Sequence, residues 1–312
     1  MEGNDPWDAT AVTPAGGGCY TATIGPEWML AMVPQGGLLA AIAARALAAE
    51  LHVDSTADER SDKRTQGDDH QTGADRTPVQ PLRSIHGVFV SPVPAGPVVI
   101  DVTVLRRGRS VSQAQATVRA PHAKAGFTAL AVFGAPRAGF TFTELAYPEV
   151  PDPEGQPSFR DPFPPEAGDI ERMSFPFWED VLEGRPALGT PFWDPSPREK
   201  AESATWFRFE QPPIGSDGRL DPYTSLVVAD VMPGAVFEKV SPTEDRWFAP
   251  STDLTVHLFG AATPGWLLGH YCAHLAGDGY ASVDAAIWDP RGADGPELVA
   301  YATQQMFFTR YT

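Results

Sequence analysis

The order of predicted elements repeats in the two halves of the chain, and this repeat constrains the fold more than any other feature. In the first half, an Ala- and Leu-rich run at 36–51 begins at Gly36-Gly37 and then contains no helix breaker, so it predicts a buried helix. In the second half, Asp221 and Pro222 offer an N-cap and a first-turn proline for a shorter helix that ends at Ala229-Asp230. Strand-like segments follow both helices, at 85–90, 98–105, 111–120 and 127–133 and again at 251–259, 266–274, 280–288 and 298–308.

Shorter strand candidates precede the two helices, at 20–24 in the first half and at 173–178 and 203–209 in the second. Consecutive strands joined by tight turns pair antiparallel, whereas parallel pairing needs a long crossover between strands. A helix followed by four antiparallel strands, present twice, predicts an α+β protein with two antiparallel sheets, each wrapping a central helix. This arrangement is a double hot-dog fold.

Composition predicts two domains and a connection between them. The boundaries are an N-terminal domain at 1–140, a Pro-rich linker at 141–168 and a C-terminal domain at 169–312. Residues 54–77 are almost all charged or small and polar, and such a segment cannot bury enough apolar surface to offset the entropy lost on ordering. A disordered insertion is therefore predicted within the N-terminal domain.

The charge and the cysteine content restrict the partners and the compartment. A formal net charge of -17 disfavours nucleic acid and anionic membrane as partners, because both reward basic surfaces. Cys19 and Cys272 are the only cysteines and lie far apart in the sequence, so neither a disulfide framework nor a zinc ribbon is predicted. No segment approaches the ~20 apolar residues of a membrane span. We expect a cytoplasmic protein without a membrane span.

Six stretches, taken in order, resemble the TesB-type acyl-CoA thioesterases (acyl-CoA thioesterase II). The resemblance as a whole extends over nearly the entire chain apart from the polar insertion and the first residues. The stretches are LRSIHGVFV at 82–90, DVTVLRRGRS at 101–110, FGAPRAGF at 133–140, Ala229-Asp230, STDLTVH at 251–257 and ATQQ at 302–305.

The resemblance implies a double hot-dog fold and hydrolysis of fatty acyl-CoA to free fatty acid and CoA. It also implies three catalytic residues, which by position are Asp230, Ser251 and Gln304. Thr252 is adjacent to Ser251, and the choice of hydroxyl between them stays open. Strand alternation predicts that Ser251, Asp253 and Thr255 share one face while Thr252 lies on the other.

A thioester is reactive enough for a positioned water to attack it without a covalent enzyme intermediate. Asp230 follows the apolar run LVVA, which predicts a desolvated carboxylate with a raised pKa and greater strength as a base. Gly36 and Gly37 allow the backbone to approach a ligand closely, and a helix N-terminus there offers N–H groups to an oxyanion. Arg106, Arg107 and Arg109 in a predicted turn are candidates for contacts with the CoA phosphates.

Other chemistries leave no matching motif. The sequence has no GxSxG elbow and no phosphate-binding glycine loop. His86, His257, His270 and His274 form neither an HExxH motif nor a close cluster in the sequence, so no metal site and no cofactor are predicted. The alternative to a hydrolase is a catalytically degenerate hot-dog protein that binds acyl-CoA without cleaving it. Exposed sheet edges favour a homo-dimer or tetramer.

Overall fold

A computed structural model describes residues 8, 10–62, 79–168, 172–191, 194, 199–239 and 247–310. The first half contributes six strands to the main sheet, β1 (Thr13–Gly16), β2 (Cys19–Ile24), β3 (Leu82–Phe89), β4 (Gly96–Arg106), β5 (Val111–Arg119) and β6 (Phe127–Gly134), besides a short separate pair, Met29–Leu30 and Val33–Pro34. The second half contributes β7 (Leu182–Leu188), β8 (Glu202–Phe209), β9 (Asp253–Leu258), β10 (Leu267–Gly277), β11 (Tyr280–Asp289) and β12 (Glu297–Phe307). The α-helices are α1 (Gly36–Asp62), α2 (Thr224–Ala229) and α3 (Pro233–Phe237).

These strands form one 12-stranded antiparallel sheet in the order β1-β2-β4-β5-β6-β3-β9-β12-β11-β10-β8-β7. The order within each half is the same when both are followed from the outer edge inward, so the two halves are related by a pseudo-twofold axis. The halves meet where β3 pairs with β9, with His86 opposite Thr255. The predicted α+β double hot-dog fold is therefore confirmed, and its two sheets join edge to edge into a continuous surface.

The core lies between the sheet and the two helices that it wraps. The stretch 38–44 of α1 is buried at every position and packs on β3, β4, β5 and β6, while α2 packs on β9, β11 and β12. Alanines occupy four of these seven positions, which lets the helix lie close to the strands. The ion pair between Arg45 of α1 and Asp221, at 2.7 Å, links the first helix to the turn that precedes the second.

Two elements differ from the sequence prediction. Helix α1 extends to Asp62, past the predicted end near Leu51, and includes the first part of the polar insertion; residues 63–78 lie outside the described part of the chain. The strand predicted at 173–178 is wrong, because Phe177–Val181 forms a π-helical turn and the strand begins only at Leu182. Phe177 and Val181 are both buried, and their i, i+4 spacing places them on one face of a helical turn.

The segment between the two halves packs against the face of the sheet that is turned away from the helices, here called the outer face. Trp206 Nε1 donates to the Pro151 carbonyl at 2.8 Å, and Tyr147 packs edge-on against Trp288 with ring centroids 5.6 Å apart. From 135 to 168 the only helical or strand element is the short 3-10 turn Pro165–Ala167. The division at 1–140, 141–168 and 169–312 stays a prediction.

Candidate active site

Asp230 lies directly after α2, where the chain leaves a fully buried helix. Leu226, Val227, Val228 and Ala229 are all buried, so the helix delivers the carboxylate into the interior between the two halves. Asp230 itself adopts a non-helical conformation with φ −85° and ψ 37°. Its carboxylate meets the N-terminus of α1, which belongs to the other half of the molecule.

Donors from both halves of the chain hold the Asp230 carboxylate. Gln304 Nε2 donates to Oδ1 at 2.5 Å. Oδ2 accepts from the Gly37 backbone N–H at 3.1 Å and from Gln35 Nε2 at 3.2 Å. The first turn of the long helix α1 therefore presents its partial positive charge to a negative group, which is the favourable orientation for the helix dipole.

Burial and hydrogen bonding shift the pKa of the Asp230 carboxyl in opposite directions. Burial raises the pKa of Asp230 by more than the hydrogen bonds from Gln304, Gly37, Gly36 and Ser251 lower it, and the net pKa is about 6, against an ordinary value of 3.8. The group is thus mostly ionised at neutral pH and is a stronger base than an exposed aspartate.

Gln304 projects inward from β12 and is 1% exposed. Its amide nitrogen is fixed by Asp230, and its Oε1 is buried without a hydrogen-bond partner among the described residues. A buried amide oxygen beside a carboxylate needs a donor, and water is the smallest that fits. Gln305, the neighbour that resembles it in sequence, is exposed on the outer face.

Ser251 and Thr252 differ in what their hydroxyls contact. The Ser251 side chain hydrogen-bonds the Asp230 carboxyl and contributes to the lowering of its pKa. Thr252 Oγ1 donates to the Gln305 carbonyl at 2.9 Å and is thereby committed to the backbone. Ser251 pairs with Met306, on the same inward face as Gln304.

The predicted alternation from Ser251 to Thr255 is wrong. Strand β9 begins at Asp253, where Thr255 pairs with Thr303, whereas Ser251 pairs with Met306, so the register shifts by one residue between them. This shift turns Ser251 inward although Thr255 faces outward and hydrogen-bonds His86 at 2.7 Å.

The two glycines at the start of α1 are required by close contacts. A Cβ on Gly37 would lie 2.2 Å from the Leu226 carbonyl oxygen, and a Cβ on Gly36 would lie 2.7 Å from both Asp230 Oδ2 and the Phe89 ring. Because the Gly37 N–H donates to Asp230, it is not turned toward an oxyanion site in this structure. The glycines thus bring the carboxylate and the helix terminus into contact.

Two protein-family models match the chain. The acyl-CoA thioesterase N-terminal domain matches residues 24–134, and the acyl-CoA thioesterase C-terminal domain matches residues 146–308. The chain belongs to the acyl-CoA thioesterase family. No curated protein matches it significantly.

Solved structures resemble this thioesterase-family chain over nearly its full length. A hot-dog protein of unknown function from Alicyclobacillus acidocaldarius is 21% identical, with a TM-score of 0.70 and 98% of both chains covered. The acyl-CoA thioesterase II TesB2 from Mycobacterium marinum is 18% identical, with a TM-score of 0.66 and 98% of both chains covered. At these identities the likeness concerns the fold, and it agrees with the TesB-type resemblance seen in the sequence.

Gln35 is a residue of the thioesterase-family site that the sequence analysis missed. It is 1% exposed, and its Nε2 donates to the Val227 carbonyl at 2.9 Å as well as to Asp230. Its Oε1 accepts from the Leu38 N–H at 3.0 Å, so the side chain caps α1 while holding the end of α2. The position of Gln35, directly before Gly36-Gly37 at a predicted helix start, could have indicated a capping role. Glutamine is not a typical N-cap residue, so the sequence did not mark it.

The three candidate arginines are not near Asp230. Arg107 donates to the backbone carbonyls of Leu51 and Glu50. Leu51 lies 14 positions after Gly37, or about 21 Å along α1. Arg106 and Arg109, which flank it, are exposed. Their contact with CoA phosphates stays a prediction.

The histidines divide into two sets. His86 and His257 are exposed on the outer face, whereas His270 and His274 each lie in a group with Cys272 and a carboxylate. The absence of a metal site stays a prediction, although His270 and His274 each lie beside Cys272 and a carboxylate. No described helix of this family member is long and apolar enough to span a bilayer. The cytoplasmic location and the homo-dimer or tetramer stay predictions.

Proposed function

We propose that the chain hydrolyses fatty acyl-CoA to free fatty acid and CoA, with Asp230 as the general base. One observation supports this proposal most strongly. A desolvated carboxylate with a pKa near 6 is held against an amide whose oxygen, Gln304 Oε1, has no partner among the described residues. A carboxylate and an amide oxygen side by side are two acceptors, and a water between them can donate one hydrogen to each.

The reaction begins with that water. Its oxygen attacks the thioester carbonyl carbon while one of its protons passes to Asp230. The tetrahedral intermediate then expels the CoA sulfur as the C–S bond breaks, and the proton on Asp230 passes to the leaving thiolate. The products are a carboxylic acid, which ionises in water, and the CoA thiol, and Asp230 is again a carboxylate.

The remaining groups position the reactants. Ser251 hydrogen-bonds Asp230 and keeps it oriented toward the water. As Asp230 takes up a proton it becomes a weaker acceptor, so the backbone amides of Gly36 and Gly37 become available as donors to the developing oxyanion. Arg106, Arg107 and Arg109 carry positive charge for the phosphates of CoA on a chain whose net charge is -17.

The direct test is release of CoA thiol from saturated acyl-CoA esters of short, medium and long chain length. We expect release with at least one chain length, at rates well above the uncatalysed hydrolysis measured without protein. If every ester binds, as followed by calorimetry, and none is cleaved, the chain is an acyl-CoA-binding protein and the proposed hydrolysis is refuted.

The pH dependence of the hydrolysis follows from the pKa of Asp230. Only the carboxylate accepts a proton, so kcat/KM is expected to level off above pH 7 and to fall about tenfold per pH unit well below a pKa of about 6. Steady-state rates measured between about pH 4.5 and 8 check this. A profile that stays nearly flat down to about pH 4.5 would mean instead that the essential carboxyl is an exposed one.

A further inference from the structure

A second cluster of chemically active side chains lies on the outer face of the second half, away from Asp230. Cys272 of β10 lies directly between Glu202 of β8 and Asp284 of β11, its partners on either side. His270 and His274 lie two residues before and after Cys272 in the same strand. Tyr271, between His270 and Cys272, points inward and donates to the Val228 carbonyl, so the cluster faces away from the catalytic side chains.

The donor atoms of this cluster lie within reach of one ion. In the group of Glu202, His270 and Cys272, all three donor atoms lie within 4.8 Å of one another, and the same holds for Cys272, His274 and Asp284. His270 Nε2 lies 2.9 Å from Glu202 Oε1 and 3.7 Å from Cys272 Sγ. In tetrahedral zinc sites, Zn–N and Zn–S bond lengths place a nitrogen and a sulfur ligand about 3.5 Å apart. The distance of 3.7 Å between His270 Nε2 and Cys272 Sγ is close to this ligand–ligand distance.

We propose that Glu202, His270 and Cys272 bind a divalent transition-metal ion of the zinc class. A thiolate, an imidazole and a carboxylate suit Zn²⁺, whereas Ca²⁺ and Mg²⁺ take oxygen ligands almost exclusively. On binding, the Cys272 thiol releases its proton to solvent and the sulfur bonds the metal, and the His270 nitrogen turns from Glu202 to the ion.

Charge and access at the cluster also favour a cation. Glu202 and Asp284 contribute two carboxylates, and the buried Asp284 Oδ1 has no well-aligned hydrogen bond from any described residue, although His274 Nε2 lies 3.0 Å away. Lys200 opposes a cation, since its Nζ is 3.6 Å from Glu202 Oε2, but its side chain is 78% exposed and can swing away. Lys239 also lines the adjoining pocket. Glu202, His270 and Cys272 are each only partly buried, so an ion can reach their donor atoms from solvent.

Ion pairing alone explains only part of this arrangement. The pairs His270–Glu202 and His274–Asp284 would each satisfy two side chains on a half-exposed sheet face. The thiol that lies between the two pairs and is shared by both groups has no role in ion pairing. A metal bound there would join β8 and β10 and would add stability to this half of the sheet without touching the Asp230 site.

Metal binding by the full, tag-free chain tests the proposal. Equilibrium dialysis against Zn²⁺ is expected to give one tightly bound ion per chain, and Co²⁺ is expected to give a thiolate-to-metal charge-transfer band. Cys272→Ser should abolish the band, and Cys272→Ser and His270→Ala should each weaken Zn²⁺ binding at least ~100-fold. The matched controls Cys19→Ser and His257→Ala should bind as the unchanged chain does.

Three results would overturn the assignment. The first is a Co²⁺ band that survives Cys272→Ser. The second is Zn²⁺ binding by the unchanged chain that is no tighter than binding by Cys272→Ser. The third is a greater loss of Zn²⁺ affinity in His274→Ala than in His270→Ala, which would move the site to the group of Cys272, His274 and Asp284. Circular dichroism confirms that each variant is folded before binding is compared.

Discussion

Asp230→Asn is expected to lower kcat for CoA release by about 10²–10⁴-fold. An asparagine has nearly the same shape as aspartate but accepts no proton from water, so the variant keeps the site and loses the base. The Gln304 side chain can rotate its amide so that Oε1 accepts from the new Nδ2, which also gives that oxygen a partner. Release of CoA thiol from the preferred acyl-CoA, measured at pH 8, checks the prediction.

The matched control is Asp253→Asn. Asp253 lies at the start of β9, two residues after Ser251, and its Oδ1 accepts from the Gln305 N–H at 2.7 Å on the outer side of the sheet. Asparagine preserves that acceptor, so the rate of CoA release should stay within about twofold of the unchanged chain. Equal losses in the two variants would show that a general disturbance, rather than loss of the base, lowers the rate.

The stability of Asp230→Asn separates loss of the base from loss of the fold. The pKa of Asp230 is higher in the folded chain, about 6, than its ordinary value of 3.8, so folding favours the protonated carboxyl. This contribution is complete below about pH 3.8 and is lost as the pH rises through about 6. The neutral asparagine avoids that loss, and at pH 8 the variant should be more stable than the unchanged chain by roughly 1–3 kcal/mol.

Gly37→Ala is expected to lower the free energy of unfolding by about 2–3 kcal/mol or more. The added methyl would lie 2.2 Å from the Leu226 carbonyl oxygen and 2.7 Å from the Val227 Cα. These are backbone atoms of a buried helix, so the clash is relieved only by moving α1 away from α2. That movement would also lengthen the hydrogen bond from the Gly37 N–H to Asp230, so CoA release should fall as well. Urea denaturation measures the first effect.

Gly234→Ala is the control for the glycine substitution. Gly234 lies in α3, and a Cβ there would be 3.6 Å from Ser203 Oγ, which is an ordinary contact. Because alanine reduces the entropy of the unfolded chain, this variant should be neutral or stabilised by about 0.4–1 kcal/mol. A Gly37→Ala variant as stable as Gly234→Ala would contradict the close approach of the two helices.

Much of the fold was predictable because hydrophobic periodicity is a local signal. Helix α1 and the strands that follow each helix were found near their observed positions from runs of Ala, Leu and alternating Val. The joining of the two sheets was not predictable in this way. It depends on β3 pairing with β9, and these strands are more than 150 residues apart in the sequence. The turn at Phe177–Val181 was missed because a short aromatic run fits a strand and a helical turn equally well.

The candidate site was predictable only in part for the same reason. Asp230 and Gln304 were identified through their order in the chain, and the structure brings them together at 2.5 Å. The inward turn of Ser251 results from a one-residue register shift that no sequence pattern marks. The grouping of His270 and Cys272 with Glu202 likewise arises from cross-strand pairing over about 70 positions, which spacing within one strand does not reveal.

Direct attack of an Asp230-activated water is the central claim, and a single turnover in ¹⁸O-labelled water tests it most directly. With enzyme in excess over acyl-CoA, the claim predicts one labelled oxygen in the released fatty acid and none in the peptide that contains Asp230. Unlabelled fatty acid together with label in the Asp230 carboxyl would contradict it, because that pattern requires the carboxylate itself to attack the thioester and form an anhydride.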